Sequence, residues 1–455
     1  MKPAARVPLS SRAYIDLMDR GLRGVSGAQH IISQISSRRS VTKLILGHNK
    51  LGDEGCIVLF KFLCSAIGRK YQVAEISLNT NHIGNRGLLA IAEYLQGNQH
   101  LKQLFLQNNE FTDEIAAKFA SALNSSRLEL LSLTSNRTLS NSFLHEFLPL
   151  LDAPELHELH LSAIGLTAEA APPIVEYLSS PRCRLHALNC NGNSLGYRGV
   201  RSIVRAVERH NFTILTLEMY SNHAESAPTS SDNTEDDEDE ERIDGVASSA
   251  AGLDAWKANE AHIRRLLLRN SHLKRVTEKD ALSLLRYSRP LLLTHSTASA
   301  TTPATRCDNC SCGSSSLKSA PVDPDPLQST NTGFAFRSLP TELQLYIMSF
   351  LAPSLSPAQR VRIYTYAASP ATLPRTTLCL SGFPIKGTSM CVLDPAMMPF
   401  GSSGSGGCSG GRCAGSGGKS VVCHKEQQRT EWLKTVGCDT YDPHREDGIF
   451  GVEGL

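Results

Sequence analysis

The sequence predicts an α/β horseshoe solenoid of about nine units, and three observations predict it. A phrase of the form Leu-x-x-Leu-x-Leu-x-x-Asn-x-Leu recurs, most clearly at Leu101, Leu104, Leu106, Asn109 and Phe111. The slot held by Asn109 returns at Arg20, Asn49, Asn81, Asn136, Ile164, Asn193, Asn222 and Ser271, with all but two spacings at 27 to 29 residues. Between copies, apolar residues fall three and four apart, the mark of a helix with one buried stripe.

The units can be taken in order. Val41, Leu44 and Leu46 precede Asn49; Val73, Ile76 and Leu78 precede Asn81; Leu128, Leu131 and Leu133 precede Asn136. Leu185, Leu188 and Cys190 precede Asn193, and Ile214, Leu217 and Met219 precede Asn222. Alternation of apolar and polar residues in each phrase gives a short half-buried strand. Outer helices follow at Cys56, Leu59, Phe60 and Leu63, at Leu88, Ile91, Ala92 and Leu95, and at Val200, Ile203, Val204 and Val207. Glycines just before them let each helix approach the strand layer. No unit can bury both its strand and its helix alone, so stacking completes the core. An Asn side chain suits backbone groups that a turn leaves unpaired. Ile164 lacks that chemistry, so its turn is expected to be looser or water-satisfied. Degraded first and last copies (Ile15, Leu17, Leu22 with Arg20; Ile263, Leu266, Leu268, Leu273 with Ser271) stand where caps belong.

This pattern resembles the ribonuclease-inhibitor-like leucine-rich repeats, including those of Ran GTPase-activating proteins. The resemblance covers about Arg12 to Tyr287 and rests on structural positions. It implies a scaffold, and by analogy with the Ran type, a GTPase activator.

Residues between the leucines face the concave side of such a horseshoe. There the sequence offers Asp16, Ile45, His48, Phe105, Gln107, His160, Glu218, Tyr220 and Arg269 as partner-binding candidates. Phe105 and Tyr220 are the preferred anchors, because aromatics dominate binding hot spots. His48 and His160 read as surface histidines, since no nucleophile, base and orienting acid stand together. Phosphate loops of the Gly-x-x-x-x-Gly-Lys type are absent. The expectation is a non-enzymatic protein with no cofactor and no metal.

Between Asn222 and Ser271 the spacing stretches to 49, and residues 225–247 hold seven consecutive acids, Glu235 to Glu241. Such a run cannot pack, so an acidic, disordered insertion is expected. Acidic segments also occur in Ran GTPase-activating proteins, but after the repeats. The repeats are expected to end near 290, followed by a Ser/Thr/Pro-rich linker over 291–334.

Order returns over 335–378. Leu339, Leu343, Ile347 and Phe350 are four, four and three apart, one apolar face of a short helix opening after Pro340. A second helical stretch runs from Pro357 to Ala367. The segment resembles the opening of an F-box, which docks a substrate receptor onto a cullin-type ubiquitin ligase. It departs from that pattern by following the repeats and lacking the usual Val-to-Trp ending. The resemblance implies adaptor contacts by Leu339, Pro340, Leu343, Ile347, Phe350 and Leu351. The plain alternative is an amphipathic helical pair packing on the solenoid end or on its own tail. A Gly/Ser-rich, Cys-containing tail spans 379–455, with a last helix near 426–436 carrying Trp432.

Bulk composition narrows the classes. Across 455 residues, 46 Lys and Arg oppose 44 Asp and Glu, for a net charge of +2. No overall bias points to nucleic acid or an anionic membrane. No stretch approaches the ~20 apolar residues of a membrane span, and Met1 to Pro8 precede no apolar run of a secretory signal. Thirteen scattered cysteines suit reduced thiols. The expectation is a cytoplasmic or nuclear monomer whose partner is a protein: a bound target, a small GTPase, or a cullin-ligase adaptor with its substrate.

Overall fold

A computed structural model describes residues 13–223, 250–297, 336–372 and 424–443. The chain forms two compact units, Met1–His272 and Leu273–Leu455. The acidic insertion and residues 298–334 of the expected linker lie outside the described residues, as do Cys307, Cys310, Cys312, Cys408, Cys413 and Cys423.

In the first unit eight three-residue strands follow one another: β1 (Tyr14–Asp16), β2 (Lys43–Ile45), β3 (Glu75–Ser77), β4 (Gln103–Phe105), β5 (Leu130–Ser132), β6 (Glu158–His160), β7 (Ala187–Asn189) and β8 (Thr216–Glu218). They form one parallel sheet in strictly sequential order. Parallel neighbours need long crossovers. Seven helices make them: α1 (Gly24–Ser36), α2 (Gly52–Cys64), α3 (Asn85–Leu95), α4 (Ala116–Asn124), α5 (Ser140–Leu150), α6 (Ala171–Ser179) and α7 (Gly196–His210). The register places each phrase on the next, as with Ile76 opposite Leu104 and Leu104 opposite Leu131. The central residue of every strand is buried, and its two neighbours lie on the opposite face, half-buried or exposed apart from the buried Ser132. The small residue at the helix start is required: a Cβ on Gly55 would lie 2.6 Å from the Gly24 carbonyl oxygen.

Asparagines bind the units into one body. The Asn109 amide oxygen accepts from the backbone N–H groups of Asn81 (3.2 Å) and Ile83 (3.1 Å) in the preceding unit. Its Nδ2 donates to the carbonyls of Leu78 and Leu106. Asn49 and Asn193 repeat the pattern. All six slot asparagines are buried. The turn at Ile164 keeps its backbone bonded. Asn193 of the next unit accepts from the Ile164 and Leu166 N–H groups and donates to the Leu161 carbonyl. Ile164 itself is fully buried. Its apolar side chain offers no bonds toward the preceding unit, while the backbone of its turn keeps those from the following one.

A second backbone constraint accompanies the ladder. At one equivalent position in each unit the residue is left-handed: Asp19, His48, Thr80, Asn108, Ser135, Ala163, Gly192 and Ser221, with φ between 53° and 66°. For a residue other than glycine this costs about 1–2 kcal/mol. The turn persists because each N–H up to Gly192 donates to a carbonyl of the following unit, as Thr80 does to Gln107 at 2.8 Å. Helix starts are served across units too. Asp53 accepts from the N–H groups of Gly84 and Gly87, Asn85 from Thr112, and Asn141 from Thr167.

The ninth unit is not a repeat. Residues 263–273, expected to form a last strand and turn, lie within one long helix, α8 (Ala250–Thr297). Its buried stripe runs Asn259, Ile263, Leu266, Asn270, Thr277, Ala281, Leu284 and Ser288, in steps of three, four and seven, while Leu268 is 67% exposed. The leucine spacing there also suited a strand, and the longer 3–4 periodicity prevailed. Ile263 and Leu266 close the solenoid core, which also takes Trp256. The helix continues past residue 290, where a linker was expected.

In the second unit the α8 residues Ala281, Leu282, Leu284 and Leu285 pack with α9 (Thr341–Ser349), α10 (Pro357–Ala368) and α11 (His424–Val436). Ser356 and Gln359 form a reciprocal cap at the start of α10. Trp432, Leu433, Val436 and Cys438 from the tail complete this core.

Replacing Asn109 by Ala strands two carbonyls and two N–H groups, in part shared with Asn136. The expected cost is about 2–4 kcal/mol of unfolding free energy. Urea denaturation followed by circular dichroism measures it; a loss below ~0.5 kcal/mol would refute the ladder's role.

Candidate protein-binding site

The face of the first unit's sheet away from the helices carries two rows of side chains. One row is Tyr14, Lys43, Glu75, Gln103, Leu130, Glu158, Ala187 and Thr216; the other is Asp16, Ile45, Ser77, Phe105, Ser132, His160, Asn189 and Glu218. Strand alternation puts both rows on the same side, since their members flank the buried central residues. Ile45, Phe105, His160 and Glu218 are half-buried there, and Asp16 is exposed.

A third row, two residues beyond the second, is partly structural. Asn79 accepts from the Gln107 N–H, Ser162 from the Asn191 N–H, and Asn191 from the Tyr220 N–H. These side chains stitch one unit to the next, so the polarity of this row is not all available to a partner. Gln107 also donates to Ser132 Oγ at 3.0 Å. Asn191 donates to the Glu218 carboxylate at 2.8 Å and holds it in place. Tyr220 ends the row 57% exposed. Sequence reasoning missed this second ladder; its only trace was the excess of Asn, Ser and Gln just after the third leucine position.

The remaining candidates separate. Asp16 sits on the edge strand, where its carboxylate accepts from the Met18 N–H. His48 is exposed and occupies a left-handed turn position, outside the two rows. Burial lowers the pKa of His160, against Glu158 and Glu218, which raise it.

Arg269 is corrected outright. It lies in α8, where its guanidinium donates to the carbonyls of Glu208, Val207 and Asn211. The same group sits 4.6 Å from the Phe212 ring centroid. Asn270, one residue earlier than the expected slot at Ser271, donates to the carbonyls of Asn211 and Ile214. A cation at the C-terminus of α7 satisfies orphan carbonyls and opposes the helix dipole. Arg269 therefore caps the solenoid and does not face its open side.

In the second unit the F-box-like residues fall on the outside of α9. Leu343, Tyr346, Ile347, Phe350 and Leu351 are 39–66% exposed. The buried side is instead Gln344 and Met348, followed by Ala352 and Leu355. Leu339 is half-buried and Pro340 exposed. The stripe expected to bury itself against a neighbour thus faces outward, because Met348 and the small Ala352 fit the core better beside Ile363 and Ala367. Among the described residues Cys56, Cys183, Cys190 and Cys438 are buried, and burial pushes the Cys183 thiol up to about 11 and that of Cys190 up to about 12. Among the described residues no helix is long and apolar enough to cross a membrane.

An open parallel sheet with one helix per unit and a buried asparagine ladder defines an α/β solenoid of the leucine-rich-repeat type. The chain carries leucine-rich repeats similar to those of ribonuclease inhibitor. The leucine-rich-repeat family model matches residues 38–60 and 97–120. The chain is 28% identical over 182 residues to human NACHT, LRR and PYD domains-containing protein 13, covering 40% of this chain and 14% of that protein. It is 24% identical over 214 residues to mouse ribonuclease inhibitor, covering 41% and 47%. Mouse Tonsoku-like protein is 27% identical over 192 residues, covering 40% and 14%. The chain spans less than half the length of each of these relatives. Proteins built on such repeats generally bind protein partners and are typically non-enzymatic.

Changing Arg269 to Ala is expected to lower stability by about 1.5–3 kcal/mol, as for charge-assisted hydrogen bonds. Partner affinity of the folded variant should stay unchanged. Thermal unfolding alongside a binding titration separates the two; intact stability with lost binding would reverse the assignment.

Proposed function

We propose that this protein is a non-enzymatic scaffold that holds a protein partner on the open face of its sheet, in the cytoplasm or nucleus. The observation that carries this reading is the arrangement of Ile45, Phe105, His160 and Glu218 on alternate strands β2, β4, β6 and β8, with Tyr220 just beyond β8. They combine apolar area with a few polar groups, the composition of a binding surface. The likeness to ribonuclease inhibitor, by its name a protein acting on another protein, supports it. Buried free thiols suit a reducing compartment. Truncating Phe105 or Tyr220 to Ala should weaken partner binding at least ~10-fold, as for a hot-spot aromatic. Partners captured on the wild-type chain and identified by mass spectrometry, then titrated against each variant, provide the measurement. Unchanged affinity in both variants would remove the reading.

A second reading rests on a separate observation, the outward stripe of α9. Large apolar side chains at helical spacing, Leu343, Ile347, Phe350 and Leu351, are 39–66% exposed. Contiguous apolar surface of this kind marks an interaction site. With the F-box resemblance, it supports docking of the second unit to a cullin-ligase adaptor, making the sheet face the substrate receptor. In the double variant Leu343→Asp, Ile347→Asp, co-purification of that adaptor should fall to background while the circular dichroism spectrum is kept. Adaptor capture equal to wild type, or no capture by wild type, would sink it.

A further inference from the structure

The outer helices differ sharply in charge. Across α1 to α6 the only lysines and arginines are Lys61, Arg86 and Lys118, whereas α7 holds Arg198, Arg201, Arg205 and Arg209. These four are three, four and four apart, opposite the buried stripe of Val200, Ile203, Val204 and Val207. They therefore form one row along the outward side of the helix. Arg198 and Arg201 are half-buried, and Arg205 and Arg209 are exposed. Arg201 donates to the Tyr197 hydroxyl at 2.8 Å, with its guanidinium 5.8 Å from the centroid of that ring. The acid of α7, Glu208, stands 3.3 Å from His262. Like charges at helical spacing repel, so the row favours an anion laid along it.

The chain carries such an anion, attached beside the same helix. Residues 224–249 contain ten acids and one arginine, and seven of the acids are the consecutive run Glu235 to Glu241. Both ends of that segment meet at the start of α7. The rings of His223 and Trp256 lie 4.8 Å apart, and those of Trp256 and Tyr197 lie 5.5 Å apart. Length permits the contact. From Arg198 to Arg209 the row spans about 17 Å of helix axis, and seven extended residues reach about 23 Å. The stretches from His223 to Glu235 and from Glu241 to Ala250 can each extend about 30 Å or more. Exposed ion pairs are weak singly. Seven acids tethered at both ends act together, at an effective concentration on the order of millimolar.

We propose that Glu235 to Glu241 lie along the arginine row of α7 and serve as its internal ligand. The most basic of the repeat helices is thereby neutralised within the chain and withheld from other polyanions.

Carbodiimide coupling tests this on the full-length variant Arg205→Lys, Arg209→Lys, which keeps the charge of the row. The reagent joins a lysine amine to a touching carboxylate as an amide. Lys257 is the internal control, since it is 75% exposed and follows the returning end of the same segment. Peptide mapping of the monomer should show positions 205 and 209 joined to acids of 235–241 at least ~10-fold more often than Lys257. That coupling should collapse in 1 M salt, which screens exposed pairs. Fluorescence anisotropy with a labelled peptide of residues 232–241 gives a second measurement. It should bind a full-length chain with Glu→Gln and Asp→Asn throughout 235–241 at least ~10-fold more tightly than wild type. Adding Arg201→Gln, Arg205→Gln and Arg209→Gln should abolish that binding. Coupling no greater than at Lys257, links to other carboxylates or between chains, equal peptide affinity for the two chains, or binding that survives the arginine changes overturns the proposal.

Discussion

A buried amide joins the units of this solenoid. Each slot asparagine serves backbone groups of its own turn and of the unit before it, so no unit is satisfied alone. Unpaired, those groups would each cost on the order of 1–3 kcal/mol. Much follows from that one constraint. The turn must pass through a left-handed residue to reach the amide, and seven non-glycine positions tolerate that conformation. The strands are held in a register without slippage, and the helices are drawn so close that Gly55 has no room for a side chain. Ile164 shows the limit of the rule. A missing rung is tolerated where both neighbours keep theirs.

The same economy shapes the open face of the sheet. Polar residues just beyond the strands are partly occupied in joining units, so the face available to a partner is smaller than its composition suggests. What remains is sparse and ordered: an aromatic on β4, acids on β6 and β8, and an exposed tyrosine at the end. The solenoid ends where α8 brings Arg269 and Asn270 to the carbonyls that a further unit would otherwise have served.

The second unit follows a different principle. Its core is assembled from α8, the α9–α10 pair and the tail helix. Asp280 accepts from Ser354, and Gln359 donates to the carbonyls of Gly437 and Thr440. These bonds cross 74 to 81 residues of chain, and no local pattern announces them. They hold α9 with Met348 inward and Phe350 outward. The amphipathic spacing of Leu339, Leu343, Ile347 and Phe350 was legible, but the side on which the core lies was not.

The sequence by itself determined the repeat. Its leucine spacing specifies strand and helix, and its asparagines specify the turn, because these are local requirements of period and hydrogen bonding that every unit meets in the same way. The positions of Phe105, His160, Glu218 and Tyr220 on one face were legible for the same reason. Tertiary structure alone decided the ends and the exceptions. Ile263, Leu266, Leu268 and Leu273 fit a strand phrase as well as a helix, and the choice rested on what they could bury against. Arg269 became a cap because the carbonyls of α7 lay within reach. The α9 stripe became surface because Met348, Ala352 and the tail's Trp432 filled the core first. Competition among distant side chains for a limited interior settles such questions, and that competition has no signature in local spacing.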